Sequence, residues 1–274
     1  MFAQDLTRLR VSGANAKRIL DNTAEPTEET SGVTSAPAHP DSAKPAVSFN
    51  DVSFRYGDGI NAVEGITFCL PRGAKAAIIG SSGSGKSTLT KLLLSLYEPQ
   101  SGEIELFGAN TRNLGRENVL SHISYVPQDS FMFPESIKDN IISGMPYDET
   151  RLEKACREAE ILSFISGLPL KFDTVLSESG ENVSGGQKQR IAMARAFYRD
   201  ADIVVLDEST SALDPATEKA VLDTFYRSVG EHGKTAVVVA HREAAIAPCD
   251  IVIRLERGKI VEIVDKNCKR GDKD

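Results

Sequence analysis

The stretch Gly80-Ser81-Ser82-Gly83-Ser84-Gly85-Lys86-Ser87-Thr88 restricts what this chain can become more than any other. Its glycines let the backbone adopt conformations that side chains forbid, so successive N–H groups can turn inward on one anion. Before it lies a short apolar run, AKAAIIG, ending at Gly80. After it, Lys86 to Tyr97 carries an apolar face at helical spacing. Strand, glycine loop, lysine and helix in that order match G-x-x-x-x-G-K-[ST], a phosphate loop. A chance Gly/Ser turn would not keep all four in register. Lys86 is placed to neutralise β and γ phosphates, and the Ser87 hydroxyl to complete a Mg²⁺ shell. The loop alone predicts a nucleotide phosphate binder without naming the nucleotide or its use.

A second chemical feature lies at IVVLDE. The near-continuous apolar run reads as a strand buried on both faces, with Asp207 at its C-terminal end and Glu208 next. Ligands of doubly wound sheets bind at that edge. Asp207 suits the metal shell, directly or through water, and Glu208 is placed to polarise an attacking water.

The surrounding pattern is of the same kind. VSFNDVSFRY (47–56) alternates in strand fashion up to the turn Gly57-Asp58-Gly59. AVEGITFCL (62–70) reads as its partner, closed by Pro71-Arg72-Gly73, and TAVVVA (235–240) as another buried strand. Residues 149–168 and 187–198 read as helices, and IVIRLERGKIVEIV as a hairpin turning at Arg257-Gly258. Strands alternating with helices predict an α/β fold with a mainly parallel sheet. The two early strands and the last hairpin are expected to add a smaller antiparallel sheet.

Composition narrows the function. The net charge is −7 with no long Lys/Arg block, which argues against a nucleic-acid surface. Four cysteines, Cys69, Cys156, Cys249 and Cys268, show no C-x-x-C spacing and read as free thiols of a reducing compartment. No apolar run approaches the roughly 20 residues of a membrane helix, and the N-terminus lacks a secretory signal pattern. The chain is therefore not expected to cross a membrane by itself. Residues 1–21 carry Phe2, Leu6, Leu9, Ala16, Ile19 and Leu20 at roughly helical spacing. Residues 22–46, rich in Pro, Thr, Ser, Ala and Glu, read as a disordered linker, and 266–274 as a charged tail.

One more motif gives the chain a family resemblance. Val183-Ser184-Gly185-Gly186-Gln187 opens a basic helix about twenty residues before the acidic strand. With the phosphate loop and Asp207-Glu208 it resembles the ATP-binding cassette (ABC) ATPases, whose signature usually begins with Leu rather than Val. Further positions fall in the family's order. Tyr56 in FRYGDG resembles the aromatic that stacks on adenine. Gln128 in YVPQD resembles the glutamine loop, which senses Mg²⁺ and the membrane partner. Ser211-Ala212-Leu213-Asp214 resembles the loop at the dimer seam, and His241 the switch histidine that contacts the γ-phosphate.

The resemblance covers about residues 46–265 and implies a P-loop NTPase core, a small antiparallel β-subdomain and a helical signature subdomain at about 129–200. It implies ATP and Mg²⁺ as cofactors. The implied nucleotide contacts are Tyr56, Gly80 through Thr88, Gln128, Ser184 through Gln187 and Asp214. The implied metal shell is Ser87, Gln128 and Asp207, and the implied catalytic set Lys86, Glu208 and His241. A second nucleotide-binding domain, identical or not, is the expected partner, each signature closing over ATP held by the other's phosphate loop.

PQDSFMFPESIKDNI (127–141) and FDTVLSESGENVSGGQKQR resemble exporter-type cassettes, the latter with only a loose match to their Glu-Gly-rich loop. ANAKRILD, followed by a Pro-rich stretch, resembles the junction between a last membrane helix and its cassette. A transmembrane domain, fused or separate, is thus the second expected partner, which places the domain on the cytoplasmic face of a membrane. The C-terminal DKNCKRGDKD departs from the Gly-x-His-x-Glu-Leu end common in such domains. The competing reading is a soluble, non-transport ABC ATPase. Intact Lys86, Asp207, Glu208 and His241 argue against a degenerate cassette.

Overall fold

The computed structural model describes residues 44–57, 59–210 and 213–266. The expectations for the amphipathic segment and the linker up to residue 43, for Ser211 and Ala212, and for the tail from residue 267 lie outside the described residues. In chain order the elements are β1 (Val47–Arg55), β2 (Asn61–Leu70), β3 (Lys75–Gly80), α1 (Lys86–Leu93), β4 (Ser101–Leu106), β5 (Ala109–Asn110), α2 (Thr111–Leu114), α3 (Arg116–Ser121), β6 (Ile123–Val126), α4 (Ile137–Ile142), α5 (Glu149–Glu158), α6 (Leu162–Ser166), α7 (Gly185–Arg199), β7 (Ile203–Asp207), α8 (Pro215–Glu231), β8 (Thr235–Val239), α9 (Glu243–Ile246), β9 (Ile251–Glu256) and β10 (Lys259–Asp265).

One compact unit, residues 44–125, 201–208 and 226–266, carries both sheets. The larger has the order β10-β9-β3-β8-β7-β6. β3 runs parallel to β8 on one side and to β9 on the other, and β7 runs parallel to β8. Its inner strands read as unbroken apolar runs because both faces are covered: every residue of β8 and the first four of β7 are buried. The smaller sheet is antiparallel, in the order β2-β1-β4-β5. Here alternation rules, with Val63, Ile66, Phe68 and Leu70 of β2 buried between exposed neighbours, and Phe49 stacks on Phe68 at 4.8 Å. The core adds Leu89 and Leu92 of α1 and Ile104 and Leu106 of β4. Each such side chain contributes about 1.5–3 kcal/mol on burial.

The hairpin expectation needs correcting. β9 and β10 do pair about Arg257-Gly258, but they belong to the larger sheet, where β9 lies against β3. The antiparallel partners of β1 are β2 and β4. Ile251, Ile253 and Leu255 face the core, so the hairpin follows the strand that gives them cover.

Residues 126–200 and 209–225 form the second, largely helical unit. Ile191, Met193, Ala194 and Tyr198 of α7 are buried there with Leu152 and Cys156 of α5. Asn140, fully buried on α4, accepts from the Phe133 N–H and donates to the carbonyls of Phe133 and Ser136, which secures the preceding turn. Arg195 donates to the Asn140 carbonyl at 2.7 Å, with its own pKa lowered by burial to about 10. It stays charged at neutral pH.

Two helices are shorter than their apolar spacing predicts. α1 stops at Leu93 rather than Tyr97 because Ser95 turns left-handed (φ 50°). The N–H groups of Ser95 and Leu96 then bond back to Leu92 and Lys91, a Schellman closure. Glu160 (φ 54°) breaks the expected 149–168 helix into α5 and α6 by the same pair of bonds, to Arg157 and Cys156. The 187–198 helix is longer than expected, beginning at Gly185 and ending at Arg199.

Candidate active site

The parallel register gathers the chemistry at one sheet edge. Gly80 ends β3, Asp207 ends β7 opposite Val239 of β8, and His241 follows β8 by two residues. All of these, with Tyr56, belong to the unit that carries the sheets.

The loop from Gly80 to Gly85 is built by backbone that only glycine tolerates at two positions. A Cβ on Gly80 would lie 2.3 Å from the Leu255 carbonyl oxygen. At Gly85 (φ 107°) it would lie 2.7 Å from the Ala62 oxygen. Ser81, Ser82, Gly83 and Ser87 are exposed, whereas Ser84 and Thr88 are buried beneath them. The Ser84 hydroxyl is buried without a hydrogen-bond partner. Lys86, 5 % exposed, donates from Nζ to the carbonyls of Gly80 at 2.9 Å and Ser81 at 3.1 Å, which holds the ammonium over the loop. α1 starts at Lys86 without a side-chain cap, so its positive end is left to face an anion.

Asp207 is held by Tyr125 of β6, whose hydroxyl donates to Oδ2 at 3.1 Å. Burial pushes the Asp207 pKa up; the Tyr125 hydrogen bond opposes this, and the neighbouring Glu208 adds to it. The Tyr125 phenol is pushed well above its ordinary range, by burial first and then by the Asp207 charge. Glu208 sits in left-handed backbone (φ 47°), uncommon for a residue with a side chain, and its N–H donates to the Val239 carbonyl at 2.9 Å. That turn aims its carboxylate at His241, whose Nε2 lies 2.9 Å from Oε1. The result is a carboxylate oriented by a histidine beside a second, partly desolvated carboxylate, the arrangement needed to align a water.

Tyr56 is 42 % exposed. Its ring meets Phe54 and Tyr97 edge to face, and its hydroxyl lies 3.3 Å from Thr88 Oγ1 of the phosphate loop. An aromatic surface half open to solvent and tied to the loop can take a flat ring.

The remaining predicted residues belong to the helical unit. Ser184 is the N-cap of α7: its hydroxyl accepts from the Gln187 N–H at 3.3 Å, and Gln187 Oε1 accepts from the Ser184 N–H at 2.8 Å. The motif is thus a complete capping box. It sets Gly185 and Gly186 at the first two helical positions, where N–H groups point out of the helix end. Gln128 is exposed just past β6. Asp214 caps α8, accepting from the N–H groups of Ala216 and Thr217, and the Thr217 side chain above all, with these backbone bonds, holds its pKa below the usual carboxylate value.

Residues 63–211 match the model of a protein family described as ABC transporter. The chain belongs to the ABC transporter family. It is 40 % identical over 220 residues to an ATP-dependent lipid A-core flippase of Saccharophagus degradans, covering 80 % of this chain and 37 % of that protein. It is 37 % identical over 217 residues to the lactococcin-G-processing and transport ATP-binding protein of Lactococcus lactis, covering 78 % of this chain and 30 % of that protein. Among solved structures, a bacterial Atm1-family ABC exporter with ATP bound superposes with a TM-score of 0.82 at 32 % identity, over 95 % of this chain and 45 % of that one. The chain therefore spans less than half the length of these relatives.

Within this ABC domain the donor set fits the implied cofactors. Gly80 and Gly85 pack so closely on the Leu255 and Ala62 carbonyl oxygens that no Cβ fits, which fixes the loop backbone, and the buried Ser84 hydroxyl beneath it has no protein partner. Ser87 and Asp207, the candidate metal donors of the unit that carries the sheets, both offer hard oxygens, and no group of three His, Cys, Asp or Glu among the described residues forms an all-protein metal cage. Mg²⁺ is usually held by one or two carboxylates together with substrate phosphates, so such a sparse set suits it. The ABC reading of the sequence did not include Tyr125. Its only sequence signal is a polar-tipped aromatic within a buried strand, where the hydroxyl requires a partner.

Proposed function

We propose that this chain is the ATP-hydrolysing domain of an exporter and works as a pair around two ATP–Mg²⁺. The observation that carries the reading is the Glu208–His241 pair at 2.9 Å, beside Asp207 and on the same sheet edge as the phosphate loop. Loop N–H groups and Lys86 would bind the phosphates, and the Tyr56 ring would stack on the base. Mg²⁺, when bound, would neutralise charge on the phosphate oxygens. Glu208 would align the attacking water and draw its proton, with His241 holding the carboxylate in place. Such positioning contributes about 10²–10⁴-fold in rate.

Ser184 through Gln187 supports the paired arrangement. A rigid capping box offering two glycine N–H groups at a helix start is a ready anion site, and one chain already holds phosphates on its own loop. The second anion site is best used by the ATP of another copy or of a related domain. The names of the relatives, flippase and transport ATP-binding protein, support an export role driven through a membrane-spanning partner, with this domain on the cytoplasmic face.

Ser184→Arg tests the pairing. The variant should bind ATP with near-normal affinity as a monomer, yet neither dimerise nor hydrolyse. Full ATPase activity in it would remove the head-to-tail reading.

A further inference from the structure

Tyr125 is a residue for which a simple packing role does not account. Phenylalanine would fill the same space at the end of β6 without carrying a hydroxyl into a partly buried position. The hydroxyl is there, and it meets Asp207 Oδ2 at 3.1 Å. A carboxylate at a strand end can rotate and present either oxygen, and a donor fixed on one oxygen holds its plane. The donor comes from the strand that continues, three residues later, into Gln128.

We propose that Tyr125 is a positioning residue for Asp207: its hydroxyl fixes the carboxylate and thereby sets how tightly the domain holds Mg²⁺ with ATP. This rests on the reading of Asp207 as a metal-shell carboxylate. Groups that hydrogen-bond a ligating side chain orient it for the metal, and their loss typically lowers metal affinity about 10–100-fold. The phenol does this while leaving one carboxylate oxygen for the metal or its water.

The test uses the full 274-residue chain. Mn²⁺ affinity is measured by electron paramagnetic resonance in the presence of a non-hydrolysable ATP analogue. Tyr125→Phe should weaken Mn²⁺ binding about tenfold. Its affinity for the analogue without divalent metal should stay close to wild type, and its ligand-free melting temperature should fall only by the loss of one hydrogen bond to a part-buried carboxylate. The Mg²⁺ concentration for half-maximal turnover should rise in parallel, more than kcat at saturating Mg²⁺ falls. Wild-type Mn²⁺ affinity in Tyr125→Phe overturns the inference. Asp207→Asn separates the two layers. If it loses Mn²⁺ while Tyr125→Phe does not, only the inference fails. If it binds Mn²⁺ normally, the metal reading of Asp207 fails and the inference falls with it.

Discussion

Glu208 and Asp207 are adjacent, yet their surroundings divide their work. Glu208 is turned by left-handed backbone toward His241, while Asp207 points to Tyr125 from a partly buried strand end. Glu208→Gln keeps the shape and the neighbours but removes the acceptor for a proton. It should bind ATP as wild type does and lose about 10²–10⁴-fold in turnover; phosphate release at the normal rate would refute the assignment. Asp207→Asn should do something different. Burial raises the folded-state pKa of Asp207 above its unfolded value, so the ionised form is disfavoured in the folded protein. That penalty is absent below the unfolded pKa, grows as pH rises from the unfolded pKa toward the folded one, and is complete above the latter. Without nucleotide or metal, Asp207→Asn should therefore melt at a higher temperature than wild type at pH 7, and the gap should close toward pH 4. A lower melting temperature at pH 7 would contradict it. Stability would be gained at the residue where metal chemistry is lost.

At the scale of elements, the clearest device is the start of α7, where Ser184 and Gln187 satisfy each other's backbone N–H. Gln187→Ala removes the acceptor for the Ser184 N–H. The expected cost is about 1 kcal/mol, with faster amide exchange across the first turn of α7, turnover reduced and ATP affinity unchanged. Unaltered exchange at residues 184–188 would show that the box does not hold the turn. This element also shows what a sequence makes legible. Ser-x-x-Gln, the glycine loop and the apolar run before Asp207 are local patterns, and each appears where its spacing places it. The ends of α1 and α5 were not legible, because Ser95 and Glu160 take the left-handed position usually given to glycine. β4 was not legible because a short antiparallel strand gains its identity from a partner, here β1, about fifty residues earlier, and the two-residue β5 exists only by pairing with β4. Tyr125 was missed for the same reason: its acceptor lies 82 residues away.

For the whole molecule, the proposal makes ATP a component of a protein interface. The paired state gains only as much stability as ATP binds it better than it binds separate domains. Glu208→Gln should therefore sediment as a dimer in ATP–Mg²⁺ and as a monomer without nucleotide, with Ser184→Arg added to the same chain restoring the monomer in ATP. A variant that stays monomeric at saturating ATP would count against pairing.

The sheet order carries a consequence for how the protein is made. β3, which leads into the phosphate loop, is bonded on one side to β8 and on the other to β9, some 160 to 175 residues downstream. The close fit at Gly80 is against Leu255 of β9. A ribosome that has delivered the phosphate loop, the helices up to α7 and even Asp207 has still not supplied either neighbour of β3. The loop comes first in the sequence but can close only when almost the last strand emerges, so a nascent chain short of Leu255 lacks a finished nucleotide site.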